Sequence, residues 1–375
     1  MGLAEYRQQL DEIDAQIVRL FEQRMEISEE VAGEKIRTGR RVLDKKREQE
    51  KLATLSDMTG SDFNKRGIRE LYQQIMAISR KRQYQMMDDA GQLHRLPFIE
   101  VDHLADDDTR VVYQGAAGSY SEAAMLQYFG RDIRNFSVAT FRDAMSAIEE
   151  GAADYAVLPI ENSTAGIVSQ NYDLLSEFEN YIVGETVIPI RHCLMGVPGT
   201  TEETIQRVYS HAQSLMQSEK YLSGHLSWQQ ISMQNNAFAA QKVAADHDVT
   251  EAAIASRYAA EHYGLQVIRE GVNQSETNST RFIIVTNQKI FLGGARKISL
   301  VLEIAHESGS LYRTLSHFIY NDLNMTKIES RPIEDRNWEY RFFIDFEGNL
   351  NDSSVRNALR GLRDECRSLK LLGNY

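Results

Sequence analysis

Over the first 90 residues, apolar positions recur at spacings of three and four. Leu10, Ile13, Ile17, Leu20, Ile27 and Val31 form one stripe, which predicts a single long helix over 5–37 with that face buried. Extending the stripe brings in Arg7, Arg24 and Lys35, three cations on the apolar face. Two readings stand at this point: long cations that snorkel to water, or cations turned into a pocket. A second helix over 44–56 aligns Asp44, Glu48, Leu52 and Leu55, with Arg47 one turn from Asp44. A third over 66–86 runs Ile68, Leu71, Tyr72 and Ile75, then Ser79 and Gln83 on the same stripe. Three such helices can enclose a polar pocket but little core, so a dimer is expected.

Helical periodicity stops after residue 88. Pro97 and Asp106-Asp107-Asp108 mark a linker, and residues 91–109 are read as one. A strand over 110–114 then runs into Gly115-Ala116-Ala117-Gly118-Ser119-Tyr120-Ser121 and a helix, a turn suited to holding anions on backbone N–H groups. Its spacing fits neither a dinucleotide fingerprint nor a P-loop. In Ala156-Val157-Leu158-Pro159-Ile160-Glu161-Asn162-Ser163-Thr164, an apolar strand stops and delivers a carboxylate, an amide and two hydroxyls. That is either the floor of a ligand crevice or ordinary loop and cap chemistry. Strands are expected over 186–197, 207–209, 231–233 and 252–255 with helices between, an α/β alternation. Thr280-Arg281-Phe282 then heads the apolar strand over 283–285. From residue 297 the order becomes strand 298–304, helix 309–320, strands 325–330 and 339–346, helix 352–364 and a last strand, which is ferredoxin-like.

The chain has 375 residues, 42% hydrophobic and 26% charged, enough for two or three domains. No apolar run resembles a signal peptide or a membrane span, so a soluble, cytoplasmic protein is expected, with no membrane partner. Two cysteines, Cys193 and Cys366, lack metal-ligand spacing, and neither a metal nor a cofactor is expected. The net charge of −12 falls entirely beyond residue 90, which disfavours nucleic acid.

Arg7, Arg24, Lys35, Asp44, Arg47, Glu48, Ser79 and Gln83 together resemble the active-site pattern of the all-helical chorismate mutase family at all eight positions. The resemblance implies an intertwined dimer in which Arg7 enters the partner's site. Arg7 and Arg24 would hold carboxylates, Lys35 and Gln83 the ether oxygen, and Glu48 the ring hydroxyl, with Asp44, Arg47 and Ser79 completing the shell. Residues 115–121, 154–163 and 280–282 are similar to prephenate dehydratase, an α/β fold of two lobes with substrate between them. Thr280 would then be the hydroxyl donor, and Ser119, Ser121, Glu161, Asn162, Ser163 and Arg281 would hold substrate, the role of Glu161 staying open. The sequence departs from that family at Ala116 and Ala212, where proline is usual. Gly309-Ser310-Leu311 and Glu329-Ser330-Arg331-Pro332 resemble the phenylalanine-binding ACT regulatory domain, with Ser310 where alanine is more usual.

The resemblance implies a multidomain chain: an all-α chorismate mutase domain over 1–90, a linker over 91–109, a two-lobed α/β dehydratase over 110–290 and an α+β ACT domain over 295–375. The expected activity is chorismate to prephenate to phenylpyruvate, inhibited by L-phenylalanine, in a dimer or tetramer. Arogenate dehydratase and a two-lobed amino-acid sensor are the alternatives; a sensor would need neither Thr280 nor the eight mutase residues.

Overall fold

The structure is a computed structural model that describes residues 2–91, 96–334 and 336–375, so residues 92–95 of the expected linker lie outside it. The chain divides into two compact units. One comprises the chain up to Pro97 together with Val301–Leu369, the other Phe98–Leu300 together with Lys370–Tyr375. Among the described residues no helix is long and apolar enough to cross a membrane.

In the first unit, helix α1 (Leu3–Thr38) runs 36 residues and ends where Gly39 turns left-handed, its N–H closing on the Lys35 carbonyl. Helix α2 (Lys45–Asp57) starts on Asp44, whose carboxylate accepts from Arg47 N at 3.0 Å. Helix α3 (Asp62–Asp89) starts on Ser61 and is longer than its apolar stripe alone implied. Within the single chain the α1 stripe is not buried. Leu10, Ile13, Ile17, Leu20, Ile27 and Val31 are all exposed, while Ser28 and Ala32, on another face, are buried where α1 packs on α3. Small side chains there let two backbones approach, so the helix pair closes on that face and leaves the bulky stripe uncovered.

The same unit holds helices Ser310–Tyr320 and Ser353–Glu365 and the antiparallel strands Met325–Ile333 and Arg336–Glu347. The Phe318 and Phe346 rings meet edge to face at 5.1 Å between centroids. α3 is tied to these elements by the Tyr84 hydroxyl donating to Asp364, by Arg356 pairing with Asp88 at 2.6 Å and by Tyr320 donating to Gln74 at 2.7 Å.

The second unit has two lobes. The first is a sheet in the order Tyr181–Pro189, Ser279–Thr286, Tyr155–Asn162, Arg110–Gln114, Arg134–Val138. The second is a sheet in the order Gln266–Glu270, Cys193–Gly196, Glu251–Ala255, Arg207–His211, Gln229–Met233. Glu251–Ala255 is buried at every position, as a central strand covered on both faces must be. The single strand expected over 186–197 is two strands, broken at 190–192 where the chain passes from one lobe to the other. The stretch expected as linker carries a strand, Ile99–Val101, paired in parallel with Ile290–Leu292.

The lobes touch through the glycine turn. Gly118 sits at φ 84°, and a Cβ there would stand 2.6 Å from the Ala259 Cα of the other lobe. Gly118→Ala should therefore cost about 2–4 kcal/mol, combining left-handed strain with overpacking. Thermal melting checks this; an unchanged midpoint would show that the turn is free to move.

Candidate functional site

In the first unit, α1 and α3 bring Arg24, Lys35, Ser79 and Gln83 together. Arg24 donates to Ser79 Oγ, which in turn donates to the Ile75 carbonyl at 2.9 Å. Lys35 Nζ donates to Gln83 Oε1 at 3.0 Å and to the Val42 carbonyl at 2.7 Å. Gln83 Nε2 is turned to Ser28 Oγ at 3.1 Å, so the amide steadies Lys35 rather than pointing both its protons inward. Burial lowers the pKa of both Arg24 and Lys35, and Glu48 nearby opposes the shift in each. Neither cation has a carboxylate within 4 Å among the described residues. The result is a half-buried positive site whose natural complement is an anion.

Glu48 faces this site, held by both oxygens on Arg80. Arg80 was not foreseen. It lies three residues before Gln83, a spacing that puts it on an adjoining face of α3. Asp44 is present as the α2 cap, and Arg47 turns outward, its side chain 70% exposed and 4.0 Å from Glu50. Arg7 is exposed on the same helix as Lys35, 28 residues earlier and so roughly 42 Å away along the axis. This chain's own cluster does not include it.

In the second unit, strand register decides which residues meet. Thr280 stands opposite Asn162, and Arg281 opposite Glu161. Side chains alternate along a strand, so the two pairs take opposite faces. Arg281 is held by Glu161 at 3.3 Å and Glu185 at 3.0 Å, and is thus a paired sheet residue set apart from Thr280. The structure therefore does not bring Arg281 or Glu161 onto the face that carries Thr280 and Asn162. Ser163 is used locally, accepting from Ser279 N at 3.0 Å. Ser119 caps helix Tyr120–Phe129, accepting from Glu122 N at 3.2 Å, and Ser121 is buried.

The orientation of Asn162 follows from backbone donors. Its Oδ1 accepts from Thr164 N at 3.0 Å and Ala165 N at 2.8 Å, so Nδ2 must face Thr280 Oγ1, 2.9 Å away. Thr280 is thereby an acceptor within the protein, and among the described residues no group takes its own proton. The Thr164 hydroxyl donates to Asn162 Oδ1 at 2.8 Å and receives from Gln217 Nε2 at 3.0 Å. Gln217 Oε1 then faces His192 Nε2 at 3.1 Å, and His192 Nδ1 meets the Tyr120 hydroxyl at 3.0 Å. This fixes the proton of the neutral imidazole on Nε2. The chain of bonds spans both lobes and ends on Thr280.

Gln217, His192 and Tyr120 were missed. Gln217 lies one turn after Gln213, at the end of helix Ala212–Gln217, and only the fold turns it toward Thr164. Asn235 was missed as well. Its Oδ1 caps helix Asn236–Asp246 while its Nδ2 is buried without a partner, close to Gly115. It is a buried donor without a partner among the described residues, beside the glycine turn. Among the described residues no group of His, Cys, Asp and Glu is arranged to hold a metal ion.

Known families match in the same places. The chorismate mutase type II family matches residues 6–84, and the prephenate dehydratase family matches 111–290. The bifunctional chorismate mutase/prephenate dehydratase of Escherichia coli K12 is 33% identical over 378 residues, covering 98% of this chain and 95% of that protein. Arogenate dehydratase/prephenate dehydratase 6 of Arabidopsis thaliana is 37% identical over 283 residues, 71% of this chain and 68% of its own. Among solved structures, the prephenate dehydratase of Arthrobacter aurescens in complex with L-Phe superposes with a TM-score of 0.66 at 30% identity, covering 71% of this chain and 89% of that one.

His192 provides a pH test of the bonded chain. It is 1% exposed, and burial lowers its pKa from 6.5 to about 4, with the Gln217 bond opposing. The unfolded state therefore binds more protons between pH 6.5 and 4, and stability should fall as pH drops through that window, by roughly 3 kcal/mol in all. Chemical denaturation across pH 4–7 checks it. His192→Asn should flatten the slope; an unchanged slope would mean that His192 protonates freely in the folded state.

Proposed function

We infer the activity of this chain from its family: it belongs to the bifunctional chorismate mutase/prephenate dehydratases, and it converts chorismate to prephenate and prephenate to phenylpyruvate in L-phenylalanine biosynthesis. An α-helical mutase region precedes a two-lobed α/β dehydratase region. The observation that carries the reading at residue level is the uncommitted donor at each site: Lys35 and Arg24 without a counter-ion, and Thr280 without an acceptor for its proton.

For the mutase, the rearrangement is pericyclic and requires no nucleophile. It is helped by holding the substrate's two ends together and by meeting the charge that grows on the ether oxygen. Lys35 directs two of its three protons to Gln83 and Val42, and the third is aimed at that oxygen. Arg24, steadied by Ser79, takes a carboxylate through parallel N–H donors. Glu48, held and oriented by Arg80, accepts from the ring hydroxyl. Arg7 reaches the site of a second copy, which its distance along α1 favours. The exposed α1 stripe is the surface on which that copy packs, in a dimer or a tetramer.

For the dehydratase, the C4 hydroxyl leaves as water while the ring carboxylate leaves as CO2. Thr280, held by Asn162, donates to the departing hydroxyl. Threonine is a weak acid, so it supplies a hydrogen bond that strengthens as the C–O bond breaks. The glycine turn at 115–121 and the Asn235 amide hold the remaining carboxylate. Prephenate is the substrate by this reading. Arogenate, for which the Arabidopsis relative is named, is the comparison to run beside it.

Residues 297–374 have the βαββαβ order of an ACT module. Gly309, at φ 76°, opens helix Ser310–Tyr320 next to Leu311, while Glu329, Ser330, Arg331 and Pro332 lie on the edge strand Met325–Ile333. L-phenylalanine is the effector this order supports, the same amino acid that the Arthrobacter enzyme holds in its complex.

Purified protein given chorismate should form phenylpyruvate, read by ultraviolet absorbance. Lys35→Ala should lose about 2–3 decades of mutase rate and still convert supplied prephenate, while Thr280→Ala should accumulate prephenate and Thr280→Ser retain part of the activity. Equal loss of both activities in a folded single variant would mean one shared site.

Ile13→Glu with Ile17→Glu should give a monomer by sedimentation and cost the mutase more than about tenfold through loss of Arg7 from the site, with prephenate turnover retained. An intact dimer would place the subunit contact elsewhere.

A further inference from the structure

A second positive cavity lies in the first unit. Its volume is about 320 Å³, and it is walled by the turn after α1, the end of α3 and helix Ser353–Glu365. Five arginines line it: Arg40, Arg41, Arg356, Arg360 and Arg363. Among the described lining residues the one carboxylate is Asp364, which accepts from the Tyr84 hydroxyl, and Arg356 is neutralised by Asp88 at 2.6 Å. Arg40, Arg41, Arg360 and Arg363 make no ion pair among the described residues.

Arginines on a surface are commonly just solvated, and three observations set these apart. The chain carries a net charge of −12, so an uncompensated positive lining runs against its overall balance. Arg360 is drawn in over the Tyr84 ring, 5.7 Å from its centroid, and burial lowers its pKa. The rest of the wall is apolar: Val42, Tyr84, Met87, Leu96 and Leu359. Cations around an apolar floor select an anion that carries a flat hydrocarbon body, and the volume falls within the usual range for small-molecule pockets.

We propose that this cavity binds a small carboxylate anion that contains a six-membered ring, the class to which both prephenate and phenylpyruvate belong. The choice of ligand class rests on the function proposed above. Two guanidinium groups from Arg360 and Arg363 and those of Arg40 and Arg41 close on the carboxylate, while the ring lies against Tyr84 and Leu359. The cavity adjoins the mutase cluster. Val42 lines it and also gives its carbonyl to Lys35, and Tyr84 follows Gln83 directly. An occupant thus bears on the turn that orients the mutase lysine.

The test is calorimetric titration of the full chain with phenylpyruvate, with prephenate against the Thr280→Ala protein that does not consume it, and with inorganic phosphate. Each is repeated in the double variant Arg40→Gln, Arg363→Gln, which changes two exposed side chains. The double variant should bind at least one of the two ring acids tenfold more weakly or lose one site per chain, with chorismate and prephenate turnover within twofold of the parent. The acid that loses more is the occupant. Equal binding of both acids by parent and variant overturns the site, and phosphate binding as tightly with the same loss overturns the ring-acid class. Failure of the parent to make phenylpyruvate would refute the activity and leave the binding difference standing as evidence for the cavity.

Discussion

Holding Arg24 and Lys35 partly out of water without a carboxylate against either is the constraint on which the first unit depends. Desolvating a cation costs free energy unless neutral acceptors or nearby charge replace the lost hydration. Here the replacements are a serine hydroxyl, a glutamine carbonyl and one backbone carbonyl, with Glu48 acting at a distance. They come from three stretches of chain: Ser79 and Gln83 from α3, Val42 from the turn after α1, Glu48 from α2. The site therefore exists only when all three helices are in place. Because Glu48 is tied to Arg80, it does not collapse onto Lys35, and the positive site stays open for a dianion.

The second unit obtains its site by a different rule, strand alternation. One residue of register separates Thr280, facing Asn162, from Arg281, locked between Glu161 and Glu185. A slip by one would exchange them and put a guanidinium where the hydroxyl stands. The Glu185 and Glu161 pairs on the opposite face make that exchange costly, since the arginine would leave two carboxylates behind. Arg281 thus contributes by holding register, and the face that carries Thr280 and Asn162 presents a neutral hydroxyl and a neutral amide. Neutral donors suit a reaction that must expel a carboxylate, since a guanidinium close by would stabilise the group that has to leave.

The three helices, the two lobes' main strands and the terminal βαββαβ order were legible because each has a clear apolar period. The strand Arg134–Val138 was not, as four of its five residues are exposed and show no alternation. For α1 the period identified the helix and its apolar side, and within one chain that side is uncovered. A pattern shows which side is apolar and leaves open which chain covers it. Arg24, Lys35, Ser79, Gln83, Asn162 and Thr280 were readable as polar residues where apolar ones were due. Arg80, Gln217 and His192 sit in unremarkable local sequence with partners 25 or more residues away, and the Asn235 Nδ2 has none among the described residues. Long-range pairing of this kind leaves no periodic trace.

The terminal elements share a compact unit with the mutase helices, and that proximity bears on regulation. Helix Ser310–Tyr320, which begins at the expected effector motif, reaches α3 through Tyr320 and Gln74, five residues before the Ser79 that steadies Arg24. Helix Ser353–Glu365 grips the other end of α3 through Asp364 on Tyr84 and Arg356 on Asp88, flanking Gln83. α3 is thus held on both sides of the stretch that carries Ser79 and Gln83 by elements outside the mutase helices. Ligands that shift those elements must work against the hydrogen bonds that keep Arg24 and Lys35 in place. By linkage, an anion bound between Arg24 and Lys35 resists the same shift, so the strength of any such control depends on how much substrate is present.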